Sequence, residues 1–121
     1  MDLNKVTLIG NVTRAPESRA LPSGKSVTAF SLATSERWNG DKSEGERVEF
    51  FDVQAFGKLG EIVASYVKAG AKLYVEGRLH SRTTKGKDGA PRRYVEVVAD
   101  NLILLGHRSK RETPLRPKEA R

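Results

Sequence analysis

The sequence predicts an all-β fold, a five-stranded barrel with one α-helix between strands three and four. Three observations predict it. Five segments alternate apolar and polar residues with the period of two that a half-buried strand requires. One segment, residues 58–69, instead carries apolar residues at spacings of three and four, the stripe of an amphipathic helix. Glycine and proline punctuate the joins between them.

The first strand is residues 5–13, with Val6, Leu8, Gly10 and Val12 on one side. Ala15-Pro16 bends or breaks it, because proline cannot donate to a ladder. Residues 17–21 form a short continuation, and Pro22-Ser23-Gly24-Lys25 is a turn. The second strand, residues 26–35, sets Thr28, Phe30, Leu32 and Thr34 on one face. Val27, Ala29, Ser31 and Ala33 lie on the other, small enough to suggest the close approach of another layer. Residues 36–46 read as a polar loop that holds Trp38.

The third strand, residues 47–56, is the most informative. Phe51, Val53 and Ala55 share a core-seeking face, while Val48, Phe50, Asp52, Gln54 and Phe56 share the other. A core would reject Asp52 and Gln54 unless they were paired, and water gains nothing from Phe50 and Phe56. Polar groups between flat rings suit a surface on which nucleic-acid bases lie; the alternative is that the rings pack under a loop or a neighbouring subunit.

Leu59, Ile62, Val63, Tyr66 and Val67 make the helix stripe, with Gly70 as its stop. The fourth strand, residues 71–80, turns Ala71, Leu73, Val75, Gly77 and Leu79 inward. Lys85-Gly86-Lys87-Asp88-Gly89 is a basic hairpin loop, and residues 92–105 are a fifth strand kinked near 99–101. This order is the layout of a Greek-key oligonucleotide-binding (OB) barrel, in which the loop between strands four and five flanks the ligand groove. The barrel domain is expected to span residues 1–106, followed by a basic disordered tail over 107–121.

Lysine and arginine total 22 against 15 aspartate and glutamate, a formal charge of +7. The excess clusters at 78–93 and beyond 107, a field that attracts polyanions. Trp38, Phe50 and Phe56 are the candidate base-stacking residues. Lys5, Arg37, Lys42, Lys58, Arg78, Arg82, Lys85, Lys87, Arg92 and Arg93 are the candidate backbone contacts. A duplex hides its base faces, so the expected ligand is a single strand, bound with weak sequence preference and strong salt dependence. Thr7, Ile9, Tyr74, Glu76 and His80 are candidate positions of a subunit interface.

Catalysis is not expected. His80 and His107 lack ligand-spaced carboxylates, the chain has no cysteine, and neither a nucleophile elbow nor a phosphate loop is present. Asp41, Glu44, Glu46 and Glu49 read as a solvated acidic loop. No cofactor or metal is expected. With no run of about 18 apolar residues and no signal-peptide pattern at the N-terminus, no membrane partner is expected and a cytoplasmic, nucleoid-associated location follows.

The motifs N-K-V-T-L-I-G-N-V at 4–12, P-E-S-R, P-S-G-K, L-A-T-S-E-R-W, F-G-K at 56–58 and Y-V-E-G-R-L at 74–79 resemble the bacterial single-stranded DNA-binding proteins of replication, recombination and repair. The resemblance covers about residues 4–106 and implies an OB barrel assembled as a homotetramer with DNA wrapped around it. It implies that Trp38, Phe50 and Phe56 stand at the family's stacking positions, and Lys5 and Lys58 at backbone-contacting ones. Two departures are visible. Thr83-Thr84 stand where the family often has a further stacking tryptophan, and the chain closes on P-L-R-P-K-E-A-R rather than on an acidic, aromatic tip. Replication and repair proteins are partners by resemblance, but docking through the tip is not carried over, since either the chain extends beyond these residues or this member lacks the tip. Three readings compete: an adaptor whose rings make only subunit contacts, a small barrel nuclease using the acidic loop, and an RNA-binding barrel.

Overall fold

The computed structural model describes residues 1–40 and 44–107. Six strands and one helix follow in the order β1 (Val6–Val12), β2 (Glu17–Ala20), β3 (Ser26–Asn39), β4 (Glu44–Phe56), α1 (Gly57–Tyr66), β5 (Lys72–Lys85) and β6 (Pro91–Gly106). The strands hydrogen-bond in the order β1-β5-β6-β4-β3-β2, and a β1–β3 pairing at Asn11↔Ala33 and Val12↔Leu32 closes the sheet. The five-stranded barrel with one helix is therefore present. The short strand expected at 17–21 forms β2 and pairs with β3, so the helix falls between β4 and β5.

Val12, Phe30, Leu32, Val53, Ala55, Leu73, Val75 and Val97 are buried together, and Val53, Ala55, Leu73 and Val75 are among the residues expected to face inward. Burying such side chains contributes about 1.5–3 kcal/mol each relative to exposure. Closure depends on a glycine. A Cβ on Gly10 would collide with the Ala33 carbonyl oxygen, so only a hydrogen at this position lets β1 cross β3. The kink expected near 99–101 is a bulge. Glu76 opposes Asn101 and Gly77 opposes Ala99, leaving Asp100 unpaired in the ladder. Asp100 accepts a 3.0 Å hydrogen bond from Arg78 Nη1.

Asn4 extends the β1–β5 ladder with its side chain. Its Nδ2 donates to the Leu79 carbonyl at 2.8 Å and its Oδ1 accepts from the Leu79 N–H at 2.9 Å.

Four expectations need correction. Trp38 lies in β3, not in a polar loop, because β3 and β4 stay paired through Trp38↔Gly45 and Asn39↔Glu44. The helix ends at Tyr66, since Val67 adopts extended backbone and turns its side chain into the core. Gly70, at φ +90, serves instead in the turn that leads into β5. Ile62 and Tyr66 are exposed, because the helix packs through Leu59, Gly60 and Val63. Leu79 is exposed as well, although it stands opposite the buried Val97. Lys42, Asp41 and the expected tail beyond His107 lie outside the described residues.

A Gly10→Ala substitution should destabilise the fold by about 1–3 kcal/mol, the usual cost of overpacking. Urea denaturation measures it, and an unmoved midpoint would show that β1 and β3 separate easily.

Candidate nucleic-acid interface

The β3–β4 ladder runs without a register shift from Val27↔Phe56 to Asn39↔Glu44. Even positions of β4 therefore share a face with odd positions of β3. Phe50 is 65% exposed and Phe56 40% exposed on that face, with Asp52 and Gln54 between them. The residues directly opposite are small: Ala33 faces Phe50, Ser31 faces Asp52, Ala29 faces Gln54 and Ser35 faces Val48. Small neighbours leave Phe50 standing clear of the sheet, whereas Phe56 stands opposite the buried Val27. The second layer that these small residues suggested is not supplied by any strand or helix among the described residues, since Phe50 stays open.

Trp38 belongs to the other face of the same ribbon. It is 43% exposed and lies beyond the barrel end, opposite Gly45. A Cβ on Gly45 would stand 2.5 Å from Trp38 Cζ2, so the indole rests directly on the glycine backbone. The Arg47 guanidinium carbon lies 5.9 Å from the indole centroid, within cation–π range. Arg37, Trp38, Asn39, Gly45 and Glu46 line an open groove here. The three stacking candidates thus form two sites, Phe50 with Phe56 on the sheet face and Trp38 on the reverse of the β3–β4 arm.

The cations divide by partner. Lys5 Nζ lies 3.4 Å from Glu76, Arg78 Nη1 3.0 Å from Asp100, Arg82 Nε 3.4 Å from Glu96 and Arg92 Nη2 4.0 Å from Asp88. These pairs are largely exposed on the cation side, so each contributes little to stability. Arg37, Lys58, Lys85, Lys87 and Arg93 are exposed and lack an ion-pair partner among the described residues. Lys85 and Lys87 sit at the tip of the β5–β6 hairpin, whose turn is closed by Gly86 N–H to the Ala90 carbonyl at 2.8 Å. Open rings, a small-residue floor and cations on the two protruding hairpins can hold a flexible polyanion with exposed bases.

The model of the single-strand binding protein family matches residues 3–105. The chain belongs to this family. Two relatives, the single-stranded DNA-binding proteins of Neisseria meningitidis serogroup A and serogroup B strains, are each 44% identical over 111 residues. The match covers 91% of this chain and 64% of each relative, so the chain spans less than two thirds of their length. Among solved structures, the Plasmodium falciparum SSB in complex with ssDNA superposes with a TM-score of 0.80 at 28% identity. That match covers 87% of this chain and 97% of the Plasmodium chain.

In this family member the candidate interface positions fall together. Thr7 opposes Glu76 and Ile9 opposes Tyr74 across β1 and β5, so the four share one face. The Tyr74 hydroxyl donates to Glu76 Oε2 at 3.1 Å, which pushes the tyrosine pKa above its ordinary value by favouring the protonated donor. His80 stands farther along β5, with Nδ1 3.5 Å from Glu96. No helix among the described residues is long and apolar enough to cross a membrane.

Sequence reading missed two residues of this surface. Arg47 alternates onto the Trp38 side of β4, which only the extended hairpin register reveals. Tyr94 is 46% exposed with Arg82 over its ring at 5.2 Å. The alternation Tyr94, Glu96, Val98 was the signal that could have found it.

Gly45→Val should push the indole off its seat. The chain has one tryptophan, so its fluorescence reports the site directly. Acrylamide quenching of the free protein should rise, and an unchanged quenching constant would show that Gly45 does not hold Trp38.

Proposed function

We propose that this protein binds single-stranded DNA without catalysis, coating and shielding exposed strands during replication, recombination and repair. One observation carries the reading. Phe50 and Phe56 stand exposed on one sheet face, Phe50 opposite the small Ala33 and Phe56 opposite Val27. Bases stack on such rings whatever their sequence, each contact being worth about 1–3 kcal/mol, while the exposed lysines and arginines follow the phosphates. Membership of the single-strand binding family supports it, as do the names of the Neisseria relatives and the DNA held by the Plasmodium relative. The protein acts by binding the unpaired state selectively, which lowers duplex stability by mass action and makes or breaks no covalent bond. Its place of work is then the cytoplasm of a bacterial cell, on the nucleoid.

The same reading includes a homotetramer. Thr7, Ile9, Tyr74 and Glu76 form a mixed patch with an exposed isoleucine, as an interface between copies requires. β1 pairs with β3 only at Asn11 and Val12, so from Val6 to Ile9 the edge of β1 that faces away from β5 has no strand partner among the described residues. An unpaired edge invites a second copy.

Fluorescence titration with oligo-dT, a matched RNA and a duplex tests the function. Oligo-dT should bind in preference to the duplex, and Phe50→Ala should weaken it by about 1–3 kcal/mol. Lys87→Ala should reduce the slope of log K against log salt by about 0.7, one phosphate contact on a single strand. A protein that ignores oligo-dT at low salt, or that prefers duplex, overturns the reading. Light scattering that gives a monomer mass with and without DNA overturns the tetramer alone.

A further inference from the structure

A second flat surface stands on the same sheet face as Phe50. β6 runs parallel to β4 with Val97 opposite Val53 and Val98 opposite Gln54. Parallel partners share a face, so the even positions of β6 lie on the side of Asp52 and Phe50. Neither register shift in the β5–β6 ladder falls between Pro91 and Val98, so Tyr94 keeps that side. Tyr94 precedes Val98 by four residues, as Phe50 precedes Gln54, so both rings lie on this face on the same side of the two β4–β6 pairs. Arg82 opposes Tyr94 on the next strand out.

The arginine is held in place. Glu96 is 8% exposed, and a carboxylate so buried needs partners. Its Oε1 takes Arg82 Nε at 3.4 Å and its Oε2 faces His80 Nδ1 at 3.5 Å. With Nε fixed, the guanidinium carbon lies 5.2 Å from the Tyr94 centroid. Arginine stacks on aromatic faces, and here the rotamer freedom that a ligand would otherwise freeze is already lost. Tyr94 remains 46% exposed with the guanidinium against it.

We propose that the Tyr94–Arg82 pair is a further base-stacking platform, on the sheet face that carries Phe50 and taking an unpaired base of the bound strand. The inference rests on the single-strand-binding reading above. In it Arg82 contributes as a stacking surface anchored by Glu96, not only as a phosphate contact.

The test uses the full chain and oligo-dT. Tyr94→Leu keeps apolar bulk and removes the ring; it should weaken binding about ten-fold, the lower part of the range for one stacked base. Tyr94→Phe keeps the ring and should bind as the unaltered protein does. The salt slope of both variants should match the parent, because no phosphate contact is lost. Undiminished binding by Tyr94→Leu overturns the platform and leaves the parent reading standing. If the unaltered protein fails to bind oligo-dT, the parent reading falls first and the platform falls with it. A purely structural pair would lower the melting temperature of Tyr94→Leu without changing its affinity. Should that variant not fold, photo-crosslinking of the unaltered protein to an iododeoxyuridine oligomer decides. An adduct on Tyr94 supports the platform, and adducts confined to other residues overturn it.

Discussion

The surface depends on one constraint, the unbroken register between β3 and β4. Thirteen successive pairs bind these strands from Val27↔Phe56 to Asn39↔Glu44. A slip of one residue would exchange the two faces of β4. Val53 and Ala55, both fully buried, forbid that slip, because exposing them would forfeit the burial that holds the barrel together. Once they are inward, Phe50 and Phe56 have nowhere to go but outward. The exposure of the rings is thus enforced by the core beneath them.

The same ladder continues past the core as an arm, and so does the β5–β6 hairpin. Beyond the barrel both faces of a ribbon meet solvent, which explains why Trp38 and Phe50 can serve on opposite sides. Charge is arranged around this geometry. Carboxylates at Glu76, Glu96 and Asp100 engage the cations nearest the sheet, whereas Lys85 and Lys87 project from the hairpin tip. Held cations present fixed shapes, and free ones supply the long-range field.

Much of the fold was legible because alternation is a short-range code. Phe51, Val53 and Ala55 against Phe50 and Phe56 could be sorted by parity alone, and the sorting holds. The kink near residue 100 was legible too, and it is the Asp100 bulge. The helix was read too generously. Ile62 and Tyr66 match the spacing of a buried stripe, yet a helix capping a small barrel touches it along a narrower line. The polar composition around Trp38 suggested a loop, whereas cross-strand pairing extended β3 through it.

By itself the sequence determined most of the strands, the inward sides of several and the kinds of residue available to bind: rings, small neighbours and excess positive charge. Each of these follows from local periodicity or from the chemistry of single side chains. Only the tertiary structure decided which residues meet. The parallel β4–β6 contact puts Tyr94 on the face of Phe50, Glu96 fixes Arg82 against Tyr94, and Gly45 seats Trp38 on the reverse face. Those neighbours come from separate strands, and their proximity depends on how the sheet twists and closes, which no local pattern encodes.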